Sequence, residues 1–232
     1  GRYVVSKGLD ADKDQSYVLW GLTQESLKRS IFPMGGFHKK DIRQMALDRG
    51  FENLALKSES YEICFIPDND YRGFLKRRVE GLEERVNGGD FVNMKGEVMG
   101  KHQGYPFYTV GQRKGLEIAT GTPMYVTRII PETNTVVLGE VEDLNEQRMV
   151  VGKTNFQKWE PWTGKREALT KIRYKDPGTM STLELVDDEV HVIFHAPVSA
   201  IAPGQSAVFY DGDDLIGGGM IRRAVFAEES MV

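Results

Sequence analysis

The chain has 232 residues, 40% of them hydrophobic and 28% charged, with a formal net charge of −4. That length accommodates two small domains or one larger one, and the composition excludes a disordered or fibrous chain and one coated in positive charge. No apolar run is long enough to cross a bilayer, no charged-then-apolar export pattern opens the sequence, and a single cysteine excludes a disulfide framework or a multi-thiolate zinc site.

In chain order, the first eighty residues carry mainly helical signals. Tyr17, Leu19, Trp20, Leu22, Leu27 and Ile31 have mixed apolar spacings, and Thr23-Gln24-Glu25-Ser26 reads as a cap followed by helix formers. Pro33 and Gly35-Gly36 end that segment. The next one, "HKKDIRQMALDRGF", places Ile42, Met45 and Ala46 on one stripe before a stop at Gly50. After "ICFI", Asp68-Asn69-Asp70 is expected to cap a helix running to Val79.

From Gly88 the texture changes to short apolar segments separated by glycine-rich turns. An Asn93–Gly96 turn and a Pro131–Asn134 turn each separate two strand-like runs. The last third alternates apolar and polar positions between turns at Asp187-Asp188 and Asp211-Gly212-Asp213, which predicts a small β-barrel. The expected fold class is α+β, with a helical segment over 1–80, a β-rich central domain over 81–146 and a C-terminal β-barrel over 147–232. Charge is uneven along this plan. From Arg148 to Lys175 there are eight basic residues against Glu160 and Glu167, whereas Asp176 to Val232 sets ten acids against Arg222 and Arg223. A local basic face and a scatter of solvated charges both fit that pattern.

Four stretches carry side chains suited to chemistry or binding. Cys64, the sole cysteine, has Arg72, Lys76, Arg77 and Arg78 just downstream. Basic neighbours or a helix N-terminus would favour the thiolate, while a buried free cysteine is ordinary core filler. His38, His102, His191 and His195 fall in no cysteine-protease signature, and too few ligand-type residues cluster with them for a metal. In "KHQGYPFYTVGQRKGL" (101–116), Gln112, Arg113 and Lys114 present amide and cationic groups, and Tyr105, Phe107 and Tyr108 supply rings. That combination suits RNA phosphates and splayed bases, and equally a glycine-rich hairpin with a hydrophobic side. In "KIRYKDPG" (171–178), Arg173 and Tyr174 offer a guanidinium and a ring to one nucleotide, or else a solvated cation and a barrel-packing ring. Gln205 sits at a Pro203-Gly204 turn, where an amide can reach nucleic acid. "IGGGM" lacks the lysine and spacing of a phosphate-cradling loop and reads as a close-packed strand or turn.

The stretches "DKDQSYVLWGL", "FPMGGFHKKDIRQMA", "EICFIPDNDYRGFL", "GKHQGYPFYTVGQRKGL", "KIRYKDPG" and "APGQSAVFYDGDDLIGGG", in this order, resemble the tRNA-specific 2-thiouridylase family. Those enzymes replace the C2 oxygen of the wobble uridine with sulfur. The resemblance spans essentially the whole chain. It departs at "YEICFI", where many members have glycine directly before Ile-Cys. Family members begin with an α/β half whose Ser-Gly-Gly-x-Asp-Ser loop grips ATP and which holds a second catalytic cysteine. No such loop occurs here, so the chain is expected to be a C-terminal portion, inactive in thiolation by itself.

The resemblance implies that Cys64 accepts sulfur as a persulfide from a carrier protein, and that ATP activates the uridine in the intact enzyme. It implies tRNA contacts from Lys13, Asp14, Gln15, Arg173, Tyr174 and Gln205, with Gln112, Arg113 and Lys114 as a further contact near the anticodon region. The single cysteine fits a reducing cytoplasm, and no metal is expected. The alternatives from other classes are a noncatalytic RNA-binding β-barrel module with a structural cysteine, and a protein-interaction barrel with no RNA role.

Overall fold

The computed structural model describes residues 1–57, 66, 70–86, 88–118 and 121–226. Cys64, Asp68 and Asn69 lie outside the described residues. The chain forms two compact units, one of Gly1–Lys57 with Glu146–Val232 and one of Ser58–Asn145. The helical segment assigned to 1–80 is therefore divided between them. Among the described residues the helices are α1 (Gln24–Arg29), α2 (Lys39–Asp48), α3 (Glu52–Ala55), α4 (Tyr71–Arg78) and α5 (Leu82–Val86). The strands are β1 (Gly89–Asn93), β2 (Val98–His102), β3 (Tyr125–Ile130), β4 (Thr135–Gly139), β5 (Asn145–Phe156), β6 (Lys165–Lys171), β7 (Thr179–Val186), β8 (Glu189–Ser199), β9 (Ser206–Asp211) and β10 (Asp214–Ala224).

Local signals account for the helix boundaries. Thr23 Oγ1 accepts from Ser26 N–H at the start of α1, and Asp70 Oδ1 accepts from Gly73 N–H at 2.8 Å to open α4. Gly50, at φ +79°, follows α2 in the left-handed conformation that suits glycine. The first 57 residues are less helical than their sequence predicts. Residues 30–38 are irregular, and α2 buries none of its residues fully, so its Ile42–Met45–Ala46 stripe supplies little packing energy.

In the Ser58–Asn145 unit, four strands form a sheet in the order β2-β1-β4-β3. β1 pairs antiparallel with β2 and parallel with β4, and β3 pairs antiparallel with β4. Phe91, Val126, Val136 and Leu138 from the sheet pack with Leu82 and Val86 of α5 and with Phe107, Tyr108 and Leu116. Two polar residues tie the connecting loop to this core. Asn134, left-handed at φ +50°, donates Nδ2–H to Val86 O at 2.7 Å and accepts from Tyr105 N–H at 3.1 Å. His102 is buried edge-on against Phe91 and accepts from Gly104 N–H through Nδ1 at 2.9 Å. The ring is therefore neutral with its proton on Nε2, and burial, outweighing the nearby Asp90 carboxylate, holds its pKa below the ordinary histidine value.

The other unit is built on a closed barrel with the circular order β10-β5-β8-β7-β6-β9. Its interior is filled by Met149, Val151, Leu183, Val192, Phe194, Phe209, Ile216 and Ile221 with their neighbours. β9 alternates as a strand must, with Ala207 and Phe209 inside, yet Val208 and Tyr210 on its other face are also buried. They are covered by Val5, Tyr17 and Leu27 from the N-terminal segment, with Leu19, Trp20 and Leu22 packed alongside. This segment extends the sheet edge: Leu215 N–H donates to Val5 O and Lys7 N–H to Asp213 O.

Gln157, fully buried, fastens the two together. Its Oε1 accepts from Val5 N–H at 3.2 Å, its Nε2 donates to Leu19 O at 2.8 Å, and its backbone carbonyl accepts from Arg2 Nε at 2.6 Å. The Gly217–Gly219 run explains itself here as close packing. A Cβ on Gly218 would stand 2.8 Å from Trp20 Cγ and 2.7 Å from Ala207 O, and one on Gly219 2.7 Å from Gly152 O.

Two outcomes are expected. Gln157→Leu preserves volume but strands a buried N–H and a buried C=O, and should cost about 2–5 kcal/mol in urea unfolding of the barrel unit. For His102 the folded pKa is depressed, so its stabilising contribution is complete above the unfolded value of about 6.5 and is lost as pH falls through the folded pKa. The urea midpoint of the Ser58–Asn145 unit should therefore hold above about pH 6.5 and drop as the pH falls below it, and His102→Asn should flatten that dependence.

Candidate nucleic-acid interface

Three stretches far apart in sequence meet on one side of the barrel unit. The first is the loop holding Lys13, Asp14 and Gln15. Asp14 shapes it: Oδ1 accepts from Gly8 N–H at 2.9 Å and Ser16 N–H at 3.2 Å, and Oδ2 accepts from Ser16 Oγ at 2.7 Å. Its carboxylate thus sets the form of the loop that carries Lys13 and Gln15 on either side. Ser16 Oγ lies 3.0 Å from the hydroxyl of buried Tyr210. Burial pushes the Tyr210 hydroxyl up to about 12, with the Ser16 hydrogen bond pulling the other way.

The second stretch is the turn after β6. Asp176 is buried and caps it, accepting from Ile172 N–H at 2.9 Å and Gly178 N–H at 3.0 Å, while its own N–H donates to Arg173 O. Gly178, at φ +92°, makes the chain reversal possible. The turn leaves Arg173, Tyr174 and Lys175 exposed. The third is the Ala202–Gln205 turn, in which Gln205 N–H donates to Ala202 O and its carbonyl accepts from Ile221 N–H, leaving the side chain exposed.

Tyr17 and Ser206 bring these stretches together. The Tyr17 hydroxyl donates to Ser206 O at 2.7 Å, one residue from Gln205, and Trp20 Nε1–H donates to Ser206 Oγ at 3.0 Å. The edge of the Tyr17 ring meets Tyr174 at 6.5 Å between centroids. Burial first, then the Asp176 charge, holds the Tyr17 hydroxyl above the ordinary tyrosine range, so it stays a neutral donor. Lys7 and Lys171 lie over the Tyr210 ring at 4.8 and 5.8 Å. Ser16, Asp176, Ser206 and Tyr210 carry no sequence signal of this role, and Tyr17 reads there only as an apolar position. Tyr17 adjoins "DKDQS", but nothing local marks its partner 189 residues away.

The basic stretch does not form one continuous cationic face. Lys158 pairs with Asp211 at 2.8 Å and Asp214 at 3.0 Å, which raises its own pKa and lowers that of Asp214, where the Ser6 hydrogen bond is the larger cause. Lys165 reaches Glu184 at 4.0 Å, and Arg166 lies over the Trp159 ring at 4.9 Å.

The 101–116 region lies in the other unit, and its rings are not free to stack on bases. Phe107 and Tyr108 are buried, with Tyr108 edge-on to Phe91 at 5.2 Å. The Gln112 side chain accepts from Thr109 N–H at 3.1 Å and donates to Lys114 O at 2.9 Å, so its amide holds the loop. Arg113 and Lys114 are exposed. Among the described residues no group of three or more His, Cys, Asp or Glu side chains could hold a metal, and no helix is long and apolar enough to cross a membrane.

Comparison with known proteins gives first a class. Residues 1–68 match the tRNA methyl transferase HUP domain, residues 72–140 the tRNA methyl transferase PRC-barrel domain, and residues 146–221 the aminomethyltransferase beta-barrel domain. Similar relatives then narrow it. A tRNA-specific 2-thiouridylase MnmA of Cytophaga hutchinsonii is 60% identical over 222 residues, covering 95% of this chain and 60% of that protein. The protein of that name from Salinibacter ruber is 53% identical over 228 residues, covering 98% of this chain and 60% of the relative, and that from Clostridium acetobutylicum is 47% identical over 223 residues, covering 96% and 62%. The chain belongs to the tRNA-specific 2-thiouridylase family, and it spans about 60% of the length of these relatives.

The Asp14 geometry yields a direct expectation. Asp14→Ala removes the acceptor for two backbone N–H groups, so trypsin should cut after Lys13 faster than in the parent chain, by roughly 10-fold for about 1.4 kcal/mol of local loosening.

Proposed function

We propose that this chain is the tRNA-holding and sulfur-relaying part of an enzyme that thiolates C2 of the wobble uridine. The observation that supports this best is the convergence of Lys13–Gln15, Arg173–Tyr174 and Gln205 around Tyr17 and Ser206. Their chemistry suits an RNA loop. Lys13 and Arg173 bring charge to phosphates, the Gln15 and Gln205 amides pair with base edges, and the Tyr174 ring, 38% exposed, can stack on a splayed base.

Cys64 is the sulfur relay. Its thiolate attacks the terminal sulfur of a persulfide on a carrier protein; the carrier's S–S bond breaks, its thiolate leaves, and Cys64 holds the sulfane sulfur with no net change in redox state. A reducing cytoplasm, which keeps the cysteine a thiol, is the fitting compartment. The intact enzyme's ATP does not fit the described residues. The Gly217–Gly219 run lies inside β10, with the space of each absent Cβ already taken by neighbouring atoms, so it offers no phosphate cradle.

Incubating the chain with a persulfide donor should add one sulfur atom at Cys64, detected by mass spectrometry, and none in Cys64→Ser. In the complete enzyme Cys64→Ser should abolish 2-thiouridine; thiolation at the normal level would sink the proposal. Arg173→Ala should weaken tRNA binding and reduce its salt dependence by about one unit of log–log slope.

A further inference from the structure

Tyr174 offers a solvent-facing ring on the barrel unit, and the turn that carries it does not by itself aim the side chain. Asp176 fixes the backbone of that turn through Ile172 N–H and Gly178 N–H, at 2.9 and 3.0 Å. Those bonds leave the Tyr174 side-chain torsions open, and 38% of the residue faces solvent. The ring it meets is that of Tyr17, edge to face, with centroids 6.5 Å apart and planes at 63°. Asp176 and Arg173 are the charged groups of the same turn that face Tyr17.

Tyr17, by contrast, is fixed at both ends. Its ring is buried with Leu27, Val208 and Leu215, and the residue before it, Ser16, places Oγ 3.0 Å from the Tyr210 hydroxyl. At the far end the Tyr17 hydroxyl donates to Ser206 O at 2.7 Å. Ser206 is itself held: it opens β9, pairs with Met220 of β10, and accepts the Trp20 indole N–H on its Oγ at 3.0 Å. Filling the core requires only the Tyr17 ring; the hydroxyl bond additionally sets the plane which that ring presents to Tyr174. An exposed tyrosine that swings freely loses rotamer freedom when a base stacks on it, and a neighbour of fixed orientation removes part of that loss beforehand.

We infer that Tyr17 is the positioning residue that holds the Tyr174 ring for stacking on an unpaired RNA base, while Tyr17 itself touches no RNA. The inference rests on the proposed function, since it takes the ligand to be tRNA. It adds to that reading a residue that acts through another. The order runs from the Ser206 carbonyl through the Tyr17 hydroxyl and ring to Tyr174, and the base meets only the last.

The test is tRNA binding by the full 232-residue chain, with affinity, salt dependence and urea midpoint measured for each variant. Tyr174→Ala should weaken binding about 10-fold through the lost stack. Tyr17→Leu should weaken it about 3-fold with an unchanged log–log salt slope, because no cation is removed. Tyr17→Phe keeps the ring and should recover part of that loss. Tyr17→Leu combined with Tyr174→Ala should cost about 10-fold, no more than Tyr174→Ala alone, since nothing is left to position. Leu27→Ala, in the same buried cluster, should lower the urea midpoint and leave the affinity as in the parent. The inference is overturned if Tyr174→Ala or Tyr17→Leu binds like the parent, if their losses multiply, or if Tyr17→Phe or Leu27→Ala loses as much as Tyr17→Leu. In each of those cases the proposed function stands so long as Arg173→Ala weakens binding. If the parent chain shows no salt-dependent tRNA binding, both fall.

Discussion

The arrangement of the barrel unit depends on one buried amide. A barrel closed by six strands has no need of a further layer, yet β9 is apolar on both faces, and Val208, Tyr210 and Leu215 must be kept from water. The N-terminal segment supplies that cover, but it is irregular chain, and burying irregular chain leaves N–H and C=O groups without partners. Gln157 answers this directly, because one side chain offers an acceptor to Val5 and a donor to Leu19 while its backbone continues the bonding with Ile216. The 13–15 loop inherits its position from that contact together with the Ser16–Tyr210 and Tyr17–Ser206 hydrogen bonds. Were the segment merely stuck down by its apolar residues, Lys13 and Gln15 would have no fixed relation to Arg173 or Gln205.

The uneven charge of the sequence has its resolution in the same unit. Acidic and basic stretches that lie apart in the chain become neighbours on the barrel, so Lys158, Lys165 and Arg222 face Asp211, Glu184 and Glu189. Exposed pairs of this kind contribute little to stability, on the order of 0–1 kcal/mol each. They also break up the basic stretch: Lys158 and Lys165 are paired with carboxylates, while Lys171 lies over the Tyr210 ring.

Much of this was legible in the sequence, and what was missed follows a pattern. The Thr23 cap, the Gly50 stop and the turns at Asn93–Gly96 and Pro131–Asn134 are local, set by residues a few positions apart, and each is found where its signal lies. The α+β plan with a C-terminal barrel followed from strand alternation between turns. Aromatic residues were the harder matter. Phe107 and Tyr108 look like base-stacking rings because their loop is rich in glycine and cations, but both are buried in the core, where Tyr108 meets His102 of the same stretch and Phe91 from β1, which lies outside it. In the same way the bonds by which Asp14 shapes its loop, to Gly8 and Ser16, carry no local mark in the sequence. Sequence identifies a polar residue in a loop; only the fold shows whether its bonds are already spent.

The same economy holds for the cations that lie over buried rings in both units. In one, Lys7 and Lys171 rest on the ring of Tyr210; in the other, Arg72 rests on Tyr108. Both tyrosines are buried, so their rings are rigid, and a cation lying over a rigid ring is oriented before any ligand arrives. A flexible lysine or arginine in water loses about 2 kcal/mol of rotamer freedom when a phosphate fixes it, and that loss reduces the affinity gained. Placing the cation on a core ring moves part of the loss into folding, where the hydrophobic burial of the ring outweighs it. The aromatic residues that orient these cations are therefore themselves part of the core.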